Sequence, residues 1–297
     1  MELTENDFPC YYIDSNKASK KAQNKYKGLI WLTLLLMLGS TVLVSIDPAL
    51  TAKWPHFDEI NGAILFFSGL VTVYLNLRAP ERKWYLGRAI AESIKTLSWR
   101  YMMHAEPFVN GDDQTDLQVF TDRILAINKQ ANKSKFIPKP NKAHSQVITP
   151  KMEEIRALSY DKRKAFYAAN RIDEQIEWYG NKSEKNGRIA KICTFIIIIC
   201  QFLAAIYLFE FIEKIKILNI NNMLIFLATS VISIVELNKY KEIYQSYALT
   251  KQELNIIRTR FRQVKDDTEL NEFVLEAEQA ISREHTMWLA RRGSADY

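Results

Sequence analysis

The chain is 297 residues long, 48% hydrophobic and 25% charged, with a net charge of +6. That mixture requires apolar spans alternating with long solvated helices, in one large domain or two modest ones. Three cysteines, four histidines and nine glycines, none grouped, exclude a disulfide framework and leave neither metal-ligand spacing nor a phosphate loop to support catalysis.

Taken in chain order, the first element is a basic approach carrying Lys17, Lys20, Lys21, Lys25 and Lys27. It leads into an apolar run from Leu29 to Ile46, then a connection from Asp47 to Glu59 in which Lys53 is the one basic residue, then a second run from Ile60 to Leu77. A run of about 18 residues covers about 27 Å as a helix, close to the hydrocarbon thickness of a bilayer. The first run lies too far from the start, and lacks the small-residue cleavage site, to read as a signal peptide; it is a retained span. Arg78, Arg82, Lys83 and Arg88 follow the second run.

Glu81 to Met103 reads as a helix with Ala89, Ile90, Ile94, Leu97 and Tyr101 on one face. Pro80 either kinks a continuous helix or separates two. From Arg123 to Lys151 there are seven basic residues, no acidic one, and Pro138, Pro140 and Pro150 as breakers. With Phe136 its only aromatic, this tract fits anionic headgroups or a solvated linker better than nucleic acid. Thr149 and Pro150 form an N-cap and first-turn pair. Beyond them Ala165, Ala169, Ile172, Ile176 and Tyr179 recur at helical spacing as a packing seam.

The third run, Ile192 to Phe209, follows Lys182, Lys185, Arg188 and Lys191; the fourth, Met223 to Leu237, is shorter, ends on Glu236 and is followed by Lys239, Lys241 and Lys251. Lys and Arg therefore cluster beside the spans on one side and are sparse in both tips, residues 47–59 and 210–222. The positive-inside rule places both termini and the middle of the chain in the cytoplasm.

The chain also repeats itself. A shift of 165 carries Asn16, Lys17 and Lys20 onto Asn181, Lys182 and Lys185. A shift of 160 carries Asn61, Phe66, Val71 and Leu77 onto Asn221, Phe226, Val231 and Leu237, and Ile94, Leu97, Arg100 and Tyr101 onto Leu254, Ile257, Arg260 and Phe261. Both copies run in-out-in, so the repeats are parallel, unlike the inverted halves of many transporters. The expected fold is an all-α membrane protein of two tandem transmembrane hairpins, four spans in all, with long cytoplasmic helices. Its divisions are 1–127, a basic linker 128–148, and 149–297.

The segment RKWYLGRAIAESIKTLSWRYMMHAEPF from Arg82 to Phe108 resembles the region after the membrane hairpin in one class of SLATT domains, two-span effectors associated with SMODS nucleotidyltransferases and SLOG sensors. RIDEQIEWYGNKSEKN from Arg171 and AISREHTMWLARR from Ala280 resemble a second class of that family. The resemblance implies a bacterial inner-membrane effector of a defence system, proposed to open or disrupt the bilayer on a nucleotide-linked trigger made or sensed by a separately encoded partner. The alternative is a non-conducting scaffold or receptor that binds a cytoplasmic partner through its helices. Neither reading calls for a catalytic residue, a cofactor or a metal.

Polar groups within spans are costly, so their positions inform. Thr72, Asn76, Gln201, Thr229, Ser233 and Glu236 are the candidate pore-lining residues of a homo-oligomer, with Asn76 and Glu236 at equivalent places in the two copies. Ser68 and Gly69 align with Ala228 and Thr229 as small residues for close helix approach. Outside the spans, Arg88, Glu92, Trp99, Arg100, Glu106, His285 and Trp288 are candidate inter-helix or partner contacts, Arg100 and Glu106 in particular for bridging the two copies.

Overall fold

The computed structural model describes residues 3–46, 51–109, 113–133, 136–140, 145–208 and 220–293, with side chains through 282. Among these residues there are helices and no strand. They are a 3-10 turn (Glu5–Asp7), α1 (Cys10–Val44), α2 (Phe57–Arg78), α3 (Pro80–Met102), α4 (Asp113–Lys133), α5 (Pro150–Arg156), α6 (Tyr160–Tyr167), a π-helical turn (Ala168–Asp173), α7 (Glu174–Leu208), α8 (Ile220–Asn238), α9 (Tyr240–Phe261) and α10 (Asp267–Gly293). Four stretches are long and apolar enough to cross a membrane, and at most 11% of the apolar 18-residue window in each is buried. Such surface suits lipid rather than water.

Two compact units result, and each draws on both halves of the chain. The hairpin unit comprises Asn24–Pro80 and Lys182–Gln245. Its buried positions are mostly small: Ser40, Ser45, Ser68, Ser183, Cys200, Ala204 and Ala228. Leu35, Phe66, Phe67, Leu77, Phe195 and Phe202 point outward. Helices in lipid gain little by hiding apolar bulk from one another and close on small residues instead, as here.

The repeat register survives in this unit's backbone. Ala79 ends α2 in the left-handed region at φ 37°, and Lys239 ends α8 there at φ 49°, 160 residues later. Ala79 N–H donates to Leu75 O at 2.9 Å, and Lys239 N–H to the equivalent Val235 O at 2.8 Å. Pro80 therefore opens α3 rather than kinking a continuous helix; since Tyr240 serves as well in the second copy, the break belongs to the repeat and not to the proline.

Ahead of the spans the structural offset differs by one from the shift of 165. Ser183 Oγ donates to Tyr244 O at 3.1 Å. In the other unit Ser19 Oγ donates to Trp84 O at 2.9 Å. Trp84 and Tyr244 are 160 apart, but Ser19 and Ser183 are 164 apart. Hydrogen bonds fix the register there; the lysines that suggested 165 face solvent.

The core unit comprises Met1–Gln23, Glu81–Asn181 and Ser246–Tyr297. Its main apolar cluster includes Phe8, Ile94, Leu97, Trp99, Tyr101, Phe120, Ile155, Phe166, Tyr167, Ile172, Phe261 and Val274, with Ile257 at its edge. Leu254 joins Tyr179 and Ile281 in a smaller cluster that Ile257 also borders. The matching faces of α3 and α9 thus share one unit. Thr149 caps α5 by accepting from Met152 N–H at 3.3 Å, with Pro150 in the first turn. The basic tract contributes to this unit too: Phe136 is buried against Gly87, where a Cβ would stand 2.8 Å from its ring.

The seam is only half realised. Ile172 and Tyr179 are fully buried, but Ala165 and Ala169 are exposed. Arg163, Phe166 and Tyr167 are buried in their place. The π turn is the reason: its i→i+5 bonding accommodates one more residue than an α turn and shifts the face presented ahead of it.

Candidate functional site

In the hairpin unit the polar candidates lie on the outside. Thr72 Oγ1 donates to Ser68 O at 3.1 Å, Asn76 Nδ2 to Thr72 O at 3.1 Å. Thr229 Oγ1 donates to Ile225 O at 3.0 Å and Ser233 Oγ to Thr229 O at 2.9 Å. Each of these donors is satisfied by its own helix. All four side chains are exposed, as are Gln201 and Glu236. Thr229, Ser233 and Glu236 follow at i, i+4 and i+7 along one face of α8. Ser68 and Ala228 are the buried small pair, 160 apart. Gly69 and Thr229 are not at a helix contact: both are exposed, and a Cβ on Gly69 would meet nothing within 4 Å.

The core unit holds a second arrangement, which sequence reasoning missed. Arg171, within the π turn, forms a two-pronged pair with Glu278 of α10: Nε to Oε1 at 2.7 Å and Nη2 to Oε2 at 2.6 Å. Both side chains are essentially inaccessible. Tyr167 Oη also donates to Glu278 Oε1 at 3.1 Å. The guanidinium lies 5.8 Å from the Trp99 ring centre, and Trp99 meets Tyr167 edge to face at 5.6 Å.

Burial pulls the Arg171 pKa down, but the Glu278 carboxylate, with its charge and hydrogen bonds, raises it above the ordinary arginine value. The Tyr167 phenol is pushed far up by burial first and Glu278 second. Lys95 lies over the Phe8 ring at 5.7 Å; burial lowers its pKa, with Arg171 adding repulsion. At the outer end of the π turn, Arg258 grips Asp173 at 2.6 and 3.1 Å.

A second buried pair joins Arg156 to Asp116, and Arg156 Nη1 also donates to Tyr101 O at 2.6 Å. His104 Nε2–H donates to the Arg156 carbonyl at 3.1 Å, so the imidazole bonds through that tautomer. Arg163 pairs with Asp267 across from these groups.

Of the predicted contact residues, Trp99 is central to this cluster, though its Nε1 has no hydrogen-bond partner among the described residues. Arg88 and Glu92 form an i, i+4 pair at 3.6 Å. Glu106 is exposed and Arg100 Nε is buried without a hydrogen-bond partner among the described residues; burial lowers the Arg100 pKa, while the charges of Glu106 and Glu278 act to raise it. The side chains of His285 and Trp288 lie outside the described residues. Arg171 opens one of the motifs that carried the resemblance, but nothing in that motif named Glu278 as its partner.

The two halves match two models of one kind. That for SMODS and SLOG-associating 2TM effector domain 3 covers residues 9–164, and that for SMODS and SLOG-associating 2TM effector domain 1 covers residues 167–288. The chain belongs to the SLATT family. No curated protein and no solved structure shows a significant match. In this SLATT protein Trp99 comes from the first matched domain, and Arg171 and Glu278 from the second, so the cluster is built across the domain boundary. Among the described residues no group of three His, Cys, Asp or Glu is placed to hold a metal ion.

Proposed function

We propose that this SLATT protein is a bacterial inner-membrane effector of a conflict or defence system whose subunits associate to permeabilise the membrane, on a signal from a separately encoded nucleotide-signalling or sensor partner, without catalysis of its own. The observation that carries this reading is the outward placement of Thr72, Asn76, Thr229, Ser233 and Glu236, while the interior of the hairpin unit is closed by small residues. A path through one subunit has no room. A carboxylate on the outer face of a span is costly against lipid and is relieved when further copies assemble around water.

The test is ion flux from liposomes holding the purified chain together with its genomic partner and that partner's nucleotide. Wild type should conduct with a cation preference; Glu236→Gln should insert equally and lose about threefold or more of that preference. A monomer in mild detergent that leaks nothing under these conditions would overturn the pore reading. A second reading, a non-conducting scaffold, is favoured by one feature: an open groove between α9 and α10 lined by Glu253, Ile256, Ile257, Arg260, Glu276 and Gln279.

A further inference from the structure

The sequence and the structure disagree about one helical segment, and the disagreement has a definite form. Ala165, Ala169, Ile172, Ile176 and Tyr179 are spaced for an uninterrupted α-helix. The structure instead buries Phe166 and Tyr167 ahead of residues 168–173, and Ile172 and Tyr179 within and beyond them. These share a face only because the π turn takes up one additional residue. The same segment thus encodes two registers, one realised and one latent.

The realised register is held by two ion pairs from other helices. Glu278 of α10 grips Arg171 inside the turn, and Arg258 of α9 grips Asp173 at its close. A π turn is rare and is retained where surrounding side chains over-determine it. Releasing the grips lets the turn relax to α-helix. One residue of register corresponds to a rotation of about 100° and a rise of about 1.5 Å, so the start of α7 within the core unit, from Glu174 to Asn181, would turn relative to α6.

We infer that residues 168–173 are a two-state register switch, latched in the π form by Glu278 on Arg171 and by Arg258 on Asp173. The straight form brings Ala165 and Ala169 onto the buried face and carries Phe166 and Tyr167 off it. This supplies a means of regulation for the membrane effector proposed above and rests on that reading for its purpose only; the switch itself is read without any flux.

The test uses the full chain in detergent with Cys10→Ser, Cys193→Ser and Cys200→Ala, and a reporter thiol at Ala169→Cys. A membrane-impermeant maleimide should label this exposed position quickly. Loss of one partner from a buried pair shifts an equilibrium by about a hundredfold or more, so adding Glu278→Gln should slow labelling by about tenfold. Arg258→Gln, which removes a half-exposed pair and keeps the core intact, should slow it about twofold to fivefold. Deleting Asn170 removes the additional residue and leaves both flanks in their present places, so this deletion should fold and restore fast labelling in either background. Should Glu278→Gln not fold, Arg258→Gln decides. Unchanged labelling in the folded variants, or failure of the Asn170 deletion to fold, would overturn the switch and leave the pore reading untouched.

Discussion

At the scale of single residues, the chemistry of the core unit is buried charge held in pairs. Arg171 with Glu278 and Arg156 with Asp116 are each nearly inaccessible, and breaking one partner of such a pair costs about 3–5 kcal/mol, whereas replacing both with apolar residues can be neutral. Their presence therefore argues for specificity of arrangement more than for stability. His104 reports on the second pair. Burial lowers its pKa, and neighbouring Arg156 and Arg163 add to the lowering against the raising effects of the bond to the Arg156 carbonyl and of Asp267. Since the folded pKa lies below the unfolded one, the unfolded chain takes up the proton first, and stability falls as pH drops below about 6.5. Thermal unfolding in detergent between pH 7.5 and 5 should show this loss. His104→Asn, which tolerates the left-handed backbone at φ 57°, should cost about 1 kcal/mol at pH 7.5 for the lost hydrogen bond and flatten this part of the pH dependence. A variant with the wild-type pH slope would remove His104 from the explanation.

At the scale of elements, helix existence was legible in the sequence and helix faces were only partly so. The apolar runs and the Thr149–Pro150 start followed from local chemistry, and Pro80 marked a place where the helix either kinks or stops. Lys239, with no proline behind it, gave no such signal, because its left-handed backbone is imposed by the packing of the repeat. The π turn was invisible for the same kind of reason: periodicity assumes a constant 3.6 residues per turn, and only the grip on Arg171 and Asp173 from distant helices departs from it. The basic tract read as solvated by its charge, yet Phe136 anchors part of it at Gly87. Gly87→Ala should destabilise the chain by about 1–3 kcal/mol through overpacking, more than the helix propensity of alanine returns. Phe136→Leu should recover a good part of this in a double-mutant cycle of melting temperatures, and additive losses would place the two residues out of contact.

At the scale of the whole molecule, the all-helical architecture and four spans were readable from hydropathy and charge, whereas the composition of the packing units was not. The repeat divides the chain into a first and a second half, but long-range contacts divide it by environment, and no composition shift marks that partition. Charge patterning gives a topology to test: reporter fusions after Ala79 and after Lys151 should score cytoplasmic and a fusion near Pro55 should not. A cytoplasmic score near Pro55 would refute the hairpins. The interleaving of the two halves has a further consequence for heredity. Because the first domain supplies Trp99 and the second supplies Arg171 and Glu278 to one cluster, neither copy can drift alone. A recombination that exchanged one half for that of a diverged relative would mismatch the core of both units at once, so the two halves must be inherited together, as partners that have forfeited independence.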